Sequence, residues 1–331
     1  MPAWLILLLS AAAVAGAGIR LAKDGDTIAE GTGLGGLWVG AILVAAATSL
    51  PELVTDVNAV LQGHPSLAVG DLLGSSMANM MILAVADLLG RSPRLLTRVA
   101  INQALVGTLG ISLTIMVAIG IVAGRGVGPL PFGWETVAIG FAYVTGMRLL
   151  HRNREEPPFG TPKEIAAQRP RSREVRRAVV GFSVAALIIL VSAPYLAAST
   201  VDLAHQMGIS TGFAGLLLLA VTTSLPEAAV SYGSIRAGAY NLAVGNLLGS
   251  NCFNMAALVP LDLLQGPGSI LAGSEPALVV AALFAILLMS LAMLDVLNKS
   301  ERRFWIIEPG PAFMVLTYLI GIFVTYRITA P

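Results

Sequence analysis

Two short segments of this chain carry the same chemistry: Ala47–Glu52 reads ATSLPE and Thr222–Glu227 reads TTSLPE. Each puts hydroxyls, a proline and a carboxylate into a run that is otherwise apolar. An ionised carboxylate at the centre of a bilayer costs at least about 2.5–3.5 kcal/mol on insertion scales, and such residues mark ion paths. No Lys or Arg is expected at the depth of Glu52 or Glu227. A bound cation is then the best source of the missing charge, and two carboxylates balance one divalent ion. Pro51 and Pro226 each remove a backbone donor and crowd the carbonyl four residues earlier, which frees carbonyls near Ala47 and Thr222. With the hydroxyls of Thr48, Ser49, Thr223 and Ser224, these groups form an all-oxygen set. Oxygen ligands suit hard cations, Ca²⁺ with a large flexible shell or Mg²⁺ with a tight octahedron. Zinc chemistry is not supported, since His64, His151 and His205 fall in predicted loops and Cys252 is the lone cysteine.

A second matched pair follows each of these segments, LAVGDLLGSSMANM over 67–80 and LAVGNLLGSNCFNM over 242–255. Asp71, Ser75 and Asn79 are spaced i, i+4, i+8, as are Asn246, Ser250 and Asn254, so each trio follows one helix face. These stripes are expected to wall the oxygen set. Gly70 with Gly74, and Gly245 with Gly249, are small-xxx-small pairs that permit close helix approach, and packing and functional uses both remain open for them. Asp71 either binds a cation, carries a proton, or stands in the first turn of a helix facing outside water. Asp56 follows Glu52 by one turn and is matched by Ser231. Asp87 and Asp262, matched near two helix ends, are expected at the interfaces rather than in the site.

The elements that must position these groups are membrane helices. Only 12% of the 331 residues are charged and 56% are hydrophobic, with mean hydropathy +0.81; soluble domains carry about 25% charged residues. Apolar runs long enough to cross the hydrocarbon core fall at about 3–22, 33–61, 66–89, 99–123, 131–150, 178–201, 209–235, 240–264, 276–297 and 305–327. Their length and lack of alternation predict an all-α integral membrane protein with ten transmembrane helices, not a barrel. The first run lacks a positive n-region and reads as helix 1 rather than a leader. Helices 2 and 7, which hold the prolines, are expected to be discontinuous.

An offset of 175 aligns 40–89 with 215–264 without a gap, and 23 of the 50 pairs are identical. The identities include Thr, Ser, Pro, Glu, Gly and Asn in register, which chance matching of apolar stretches would not give. The chain thus divides into a first five-helix repeat (1–150), a basic linker (151–177) and a second five-helix repeat (178–331). Five is odd, so the second repeat enters the membrane inverted, the plan of secondary transporters with a site near the midplane. With the linker cytoplasmic and both termini outside, 18 of the 20 Lys and Arg lie on the cytoplasmic side, as the positive-inside bias requires. Trp4, Trp134 and Trp305 near helix ends suit interfacial anchoring or packing in the bundle.

At these two motif pairs the chain resembles the cation/Ca²⁺ exchanger superfamily, most closely its prokaryotic Na⁺/Ca²⁺ exchanger-like members. The family pattern is two inverted repeats, each with a G/T-T-S-L-P-E and a G-N-x-x-G-S-N-x-x-N/D segment. The resemblance implies that Glu52 and Glu227 are the central Ca²⁺ ligands. It adds Thr48, Thr223, Ser49, Ser224, Ser75, Ser250, Asn79 and Asn254, with the carbonyls of Ala45 and Ala220, to the Na⁺ and Ca²⁺ sites. It further implies alternating access, with helices 1 and 6 moving against a core that holds the repeats, in a prokaryotic inner (plasma) membrane. Asn79 and Asn254 are both amides where many members carry one Asp, while Asp71 and Ser76 replace two Asn of the first motif. This rearranged acidic inventory leaves ion choice and stoichiometry open.

The expected function is exchange of a divalent cation, Ca²⁺ first, for Na⁺, with Ca²⁺ extruded. If three Na⁺ moved against one Ca²⁺, as the resemblance suggests, one net charge would cross per cycle, worth roughly 2.3 kcal/mol per 100 mV. The rivals are H⁺/divalent exchange, transport of Mg²⁺ or Mn²⁺, and a non-transporting scaffold or sensor. An intramembrane aspartyl protease is disfavoured, because neither Thr55-Asp56 nor Gly70-Asp71 matches the segments it needs. No phosphate loop, HExxH motif or nucleic-acid patch is present, so no enzyme, cofactor, nucleic-acid partner or obligatory protein partner is expected. The partners are inorganic cations and lipid.

Overall fold

The computed structural model of the chain describes residues 2–34, 36–89, 95–99, 102–123, 133–152, 170, 172–206, 220–275, 277–298 and 309–329. Every regular element among them is helical. In chain order these are α1 (Ala3–Thr32), α2 (Gly36–Leu61), α3 (Pro65–Leu89), a single turn at Leu95–Arg98, α4 (Gln103–Ala123) and α5 (Trp134–Arg152). Then come α6 (Ser172–Gln206), α7 in two pieces (Ala220–Thr223 and Leu225–Ala237), α8 (Tyr240–Gln265), α9 (Leu278–Asn298) and α10 (Pro309–Thr329). Seven helices among the described residues are long and apolar enough to cross a membrane: α1, α2, α3, α4, α6, α8 and α9. Large apolar side chains such as Leu8, Phe141, Leu187 and Phe323 are exposed on the outside of the bundle, where lipid can cover them.

Several boundaries differ from expectation. The first span was placed at 3–22, yet α1 runs to Thr32 and ends where Gly33 turns left-handed at φ 69°. The charges after residue 20 close the apolar run without closing the helix: Arg20 pairs with Asp24 at 2.7 Å across one turn, and Asp24 is buried. Helix α6 begins at Ser172, inside the stretch read as linker, because Arg173–Arg177 are mostly good helix formers; residues 153–169 of that linker lie outside the described residues. His151 stands in the last turn of α5 against the Trp38 ring, and His205 lies in α6, so of the three histidines only His64 occupies a loop. Trp4 and Trp134 are half-exposed, as anchoring needs, and Trp305 is outside the described residues.

The two proline helices behave differently. Helix α7 is interrupted at Ser224, and Pro226 falls in the first turn of its second piece, where the missing donor costs nothing. Helix α2 does not break at Pro51, contrary to expectation. It stays helical through the proline, with a π-helical stretch at Val39–Val44 about two to three turns earlier. Hydroxyls bond the backbone on both sides of the proline, with Thr55 Oγ1 donating to the Pro51 carbonyl at 3.0 Å and Thr48 Oγ1 lying 3.2 Å from the carbonyls of Val44 and Ala45.

Two large hydrophobic cores divide the bundle, and a third, small cluster of Val14, Ala193 and Leu196 joins α1 to α6. The larger joins α3, α4, α8 and α9 through residues such as Leu72, Leu113, Leu248, Met255 and Leu288. The smaller joins α1 and α6, which pack chiefly on each other, through Leu21, Ile28, Phe182 and Ile189, and touches α2 and the start of α8 at Val44 and Leu242. Asp87 and Asp262 are buried rather than wetted, but neither enters the site. Asp87 Oδ1 accepts from the Leu96 amide, nine residues on, and Asp262 Oδ1 from the Ile270 amide, eight on. Asp262 Oδ2 also accepts from the Gly133 amide and the Thr136 hydroxyl at 2.7 and 2.6 Å, tying α8 to the start of α5. Asp262→Ala strands the Gly133 and Ile270 amides, each worth roughly 1–3 kcal/mol when left buried and unpaired, while the Thr136 hydroxyl keeps the Gly133 carbonyl at 2.8 Å. A clear fall in the unfolding temperature of the detergent-purified protein is the expected result, with Asp262→Asn in between.

Candidate cation site

The carboxylates expected to hold the ion come from α2 and α7 and meet walls from α3 and α8. Glu52 follows Pro51 in α2 and Glu227 follows Pro226 in the second piece of α7; both are fully buried. The two are close enough to interact electrostatically. Glu227 Oε1 accepts from the Ser49 hydroxyl at 3.3 Å and from Ser250 at 3.5 Å, whereas Oε2 has no protein partner. Neither oxygen of Glu52 makes a well-formed hydrogen bond, although the Ser75 and Asn254 side chains face it. Ser224 Oγ, Asn79 Oδ1 and both polar atoms of the Asn254 side chain are likewise buried and unpartnered.

Contacts between the halves come in matched pairs. Thr48 Oγ1 lies 3.4 Å from Ser250 Oγ, and the equivalent Thr223 Oγ1 lies 3.4 Å from Ser75 Oγ. The residues that open the α-helical stretches ahead of each Glu are also equivalent, Ala45 in Ala45–Leu61 and Ala220 in Ala220–Thr223. The expected residues of α2, α3, α7 and α8 are thus gathered into one buried polar layer.

Two further residues belong to this layer. Asn246 accepts from Thr48 Oγ1 at 3.2 Å and its amide donates to the Glu227 carbonyl at 3.5 Å, so it links α8 to both α2 and α7. Asn251 accepts from Asn79 Nδ2 at 3.0 Å and donates to the Ser76 carbonyl at 3.2 Å, which ties α3 to α8. The helical spacing of the second stripe already pointed to Asn246. For Asn251 the signal was its place in the G-S-N segment, directly after Ser250.

The glycines resolve into separate uses. A Cβ on Gly249 would fall 2.3 Å from the Ala41 carbonyl oxygen, and one on Gly245 would lie 3.0 Å from that of Leu37, so α8 rests directly on the backbone of α2 around its π-helical stretch. At Gly70 the nearest atom would be Leu278 Cδ2 at an ordinary 3.5 Å. Close packing therefore explains the second glycine pair and leaves Gly70 without a tight neighbour.

Chemically, the layer is an acceptor-rich cage. Every charged side chain buried among the described residues is acidic, and no Lys or Arg is buried. Among the described residues no three His, Cys, Asp or Glu side chains converge as a ready-made metal cluster. The oxygens of Glu52, Glu227, Ser224, Asn79 and Asn254 are instead of mixed type: carboxylate, hydroxyl and amide. Buried acceptors without donors are costly, and a hard cation satisfies them all at once.

The family described as sodium/calcium exchanger protein matches residues 2–145 and 177–327. The chain belongs to the sodium/calcium exchanger protein family. Relatives of this exchanger chain agree. A protein provisionally named antiporter CaxA, from Alkalimonas amylolytica, is 29% identical over 288 residues, covering 83% of this chain and 85% of its own. The sodium/calcium exchanger MaX1 of Methanosarcina acetivorans is 27% identical over 294 residues, covering 81% and 84%. A solved structure of the sodium-calcium exchanger NCX_Mj, soaked with Na⁺ and Sr²⁺, superposes with a TM-score of 0.74 over 97% of both chains at 20% identity, a likeness of fold. The chain is accordingly an integral membrane protein of an exchanger family and not an enzyme.

Proposed function

We propose that this exchanger moves Ca²⁺ against Na⁺ by alternating access, with Glu52 and Glu227 as the ligands shared by both ions. The observation that carries the reading is two fully buried carboxylates at equivalent positions, three of whose four oxygens make no well-formed hydrogen bond. In this reading the hydroxyls of Thr48, Ser49, Thr223, Ser224, Ser75 and Ser250, the amide oxygens of Asn79 and Asn254, and the Ala45 and Ala220 carbonyls complete the coordination. An unloaded pair of buried charges resists rearrangement between inward- and outward-open states, so only a loaded site crosses, and this couples the two fluxes. The matched Thr–Ser contacts support a ten-span, five-plus-five inverted repeat, with 1–150 and 178–331 as the two halves. The separate α1–α6 core supports a pair of helices that shifts against the rest. Charge placement supports termini outside, a cytoplasmic 151–177 segment and outward Ca²⁺ movement in the cell.

The test is reconstitution. Na⁺-loaded liposomes containing the purified protein, diluted into Na⁺-free buffer with Ca²⁺, are expected to accumulate Ca²⁺, and to stop when Na⁺ is equal on both sides. Accumulation driven by a pH gradient and indifferent to Na⁺ would replace Na⁺ by H⁺ in this reading, and uptake of Mn²⁺ or Mg²⁺ in preference to Ca²⁺ would change the divalent ion.

A further inference from the structure

The repeats match at the central site but diverge one turn away from it. At the positions equivalent to Ser231 and Asn246 in the second half, the first half carries Asp56 and Asp71. Asp71 is not a first-turn residue facing water: it lies in the second turn of α3, only 8% exposed, and Asp56 is 1% exposed. The two side chains are neighbours across α2 and α3, and both interact electrostatically with Glu52. Each has one carboxylate oxygen, Oδ2, that is buried without a partner.

The neutral counterparts show what such a position needs. Asn246 satisfies its surroundings by accepting from a hydroxyl and donating to the carbonyl of the neighbouring Glu. A carboxylate can only accept, so Asp71 cannot reproduce that donated bond in its charged form. An independent feature points the same way: Glu52, four residues before Asp56 on the same helix face, is fully buried with neither oxygen in a well-formed hydrogen bond. Glu52 and Glu227 together balance one divalent ion. Asp56 and Asp71 add two further acidic groups that face each other across α2 and α3, each with an unpartnered Oδ2, and no buried Lys or Arg among the described residues meets them.

We propose that Asp56 and Asp71 form a second divalent-cation site, placed between the Glu52–Glu227 pair and the turn at residues 62–64 that joins α2 to α3. In the topology proposed above that turn faces outside, so the second site lies on the outward route, and the inward route, past Ser231 and Asn246, has no equivalent. A hard ion such as Ca²⁺ suits it, because carboxylates supply part of a shell that water completes. Its function is to hold an ion next to the central pair, so that one ion at the outer site can displace another. The inference rests on the Ca²⁺ reading of the central site.

Equilibrium dialysis of the full-length, detergent-purified protein against radiolabelled Ca²⁺ in Na⁺-free buffer tests both. The wild type is expected to bind about two Ca²⁺ per chain. The double variant D56S/D71N, which installs the residues that the second half already uses at these positions, is expected to bind about one, and E227Q to keep the outer ion. Size-exclusion elution as a single wild-type-like peak checks the fold, and D71N alone, measured the same way, serves if the double variant fails that check. One Ca²⁺ per chain in the wild type, unchanged in D56S/D71N and lost in E227Q, overturns the second site and leaves the central one standing. No Ca²⁺ bound by the wild type overturns both.

Discussion

Na⁺-loaded liposomes containing the Glu52→Gln variant are expected to take up Ca²⁺ no faster than liposomes without protein. Removing one partner of a buried, desolvated charge interaction costs about 2–5 kcal/mol, which is roughly a 30-fold to several-thousand-fold loss of affinity. Exchange would fall below detection even at the lower end, because both ions use the same carboxylate. A second measurement separates function from folding. The Ser75 and Asn254 side chains face Glu52, but neither of its oxygens makes a well-formed hydrogen bond, so the substitution relieves crowding with the acidic Glu227 and Asp71 without breaking a bond. In buffer free of Na⁺ and Ca²⁺, Glu52→Gln is therefore expected to unfold at a higher temperature than the wild type, while added Ca²⁺ stabilises the wild type far more than the variant. Glu227→Gln should also end exchange but gain less stability, since Oε1 of Glu227 already accepts two hydroxyl bonds. A Glu52→Gln protein that exchanges at the wild-type rate would remove Glu52 from the ion path.

The sequence disclosed these groups because chemistry at a membrane midplane is conspicuous. A carboxylate after a proline in an apolar run has few structural explanations, and its repetition at an offset of 175 removes most of those. Spacing was enough to line Ser75 and Asn79 on one helix face and Ser250 and Asn254 on another. What composition could not report was how backbone strain is absorbed. Pro51 and Pro226 occupy the same register, yet α7 breaks at Ser224 while α2 remains helical and turns π-helical upstream. Around the π-helical stretch α8 presses directly on the α2 backbone, a tertiary contact. Helix ends were missed for a related reason. Hydropathy marks where a chain leaves lipid, and α1 and α6 continue as helices beyond that point. The burial of Asp71 was likewise a matter of packing, since a residue in the second turn of a helix can be wet or dry according to its neighbours.

Gly249 is where that packing can be tested most sharply. Its Cα faces the α2 backbone so closely that an added Cβ would stand 2.3 Å from the Ala41 carbonyl oxygen and 2.4 Å from the Ala41 Cα. Backbone atoms cannot swing aside as a side-chain tip can, so Gly249→Ala must push α8 off α2. Overpacking of this kind costs about 1–3 kcal/mol. The displacement falls on the site itself, because the next residue, Ser250, meets Thr48 and Glu227, and Asn246, one turn earlier, bonds Thr48 and the Glu227 carbonyl. The expected result is a lower unfolding temperature together with at least about a tenfold loss of Ca²⁺ uptake, near what 1.4 kcal/mol at the site would produce. Gly70→Ala supplies the contrast. Its Cβ would meet Leu278 Cδ2 at 3.5 Å, an ordinary contact, and alanine is favoured over glycine in a helix interior by about 1 kcal/mol. That variant should be as stable as the wild type or more so and should exchange normally. If the two alanines behaved alike, the close approach of α8 to α2 would not be what holds Ser250 and Asn246 against the ion-binding carboxylate.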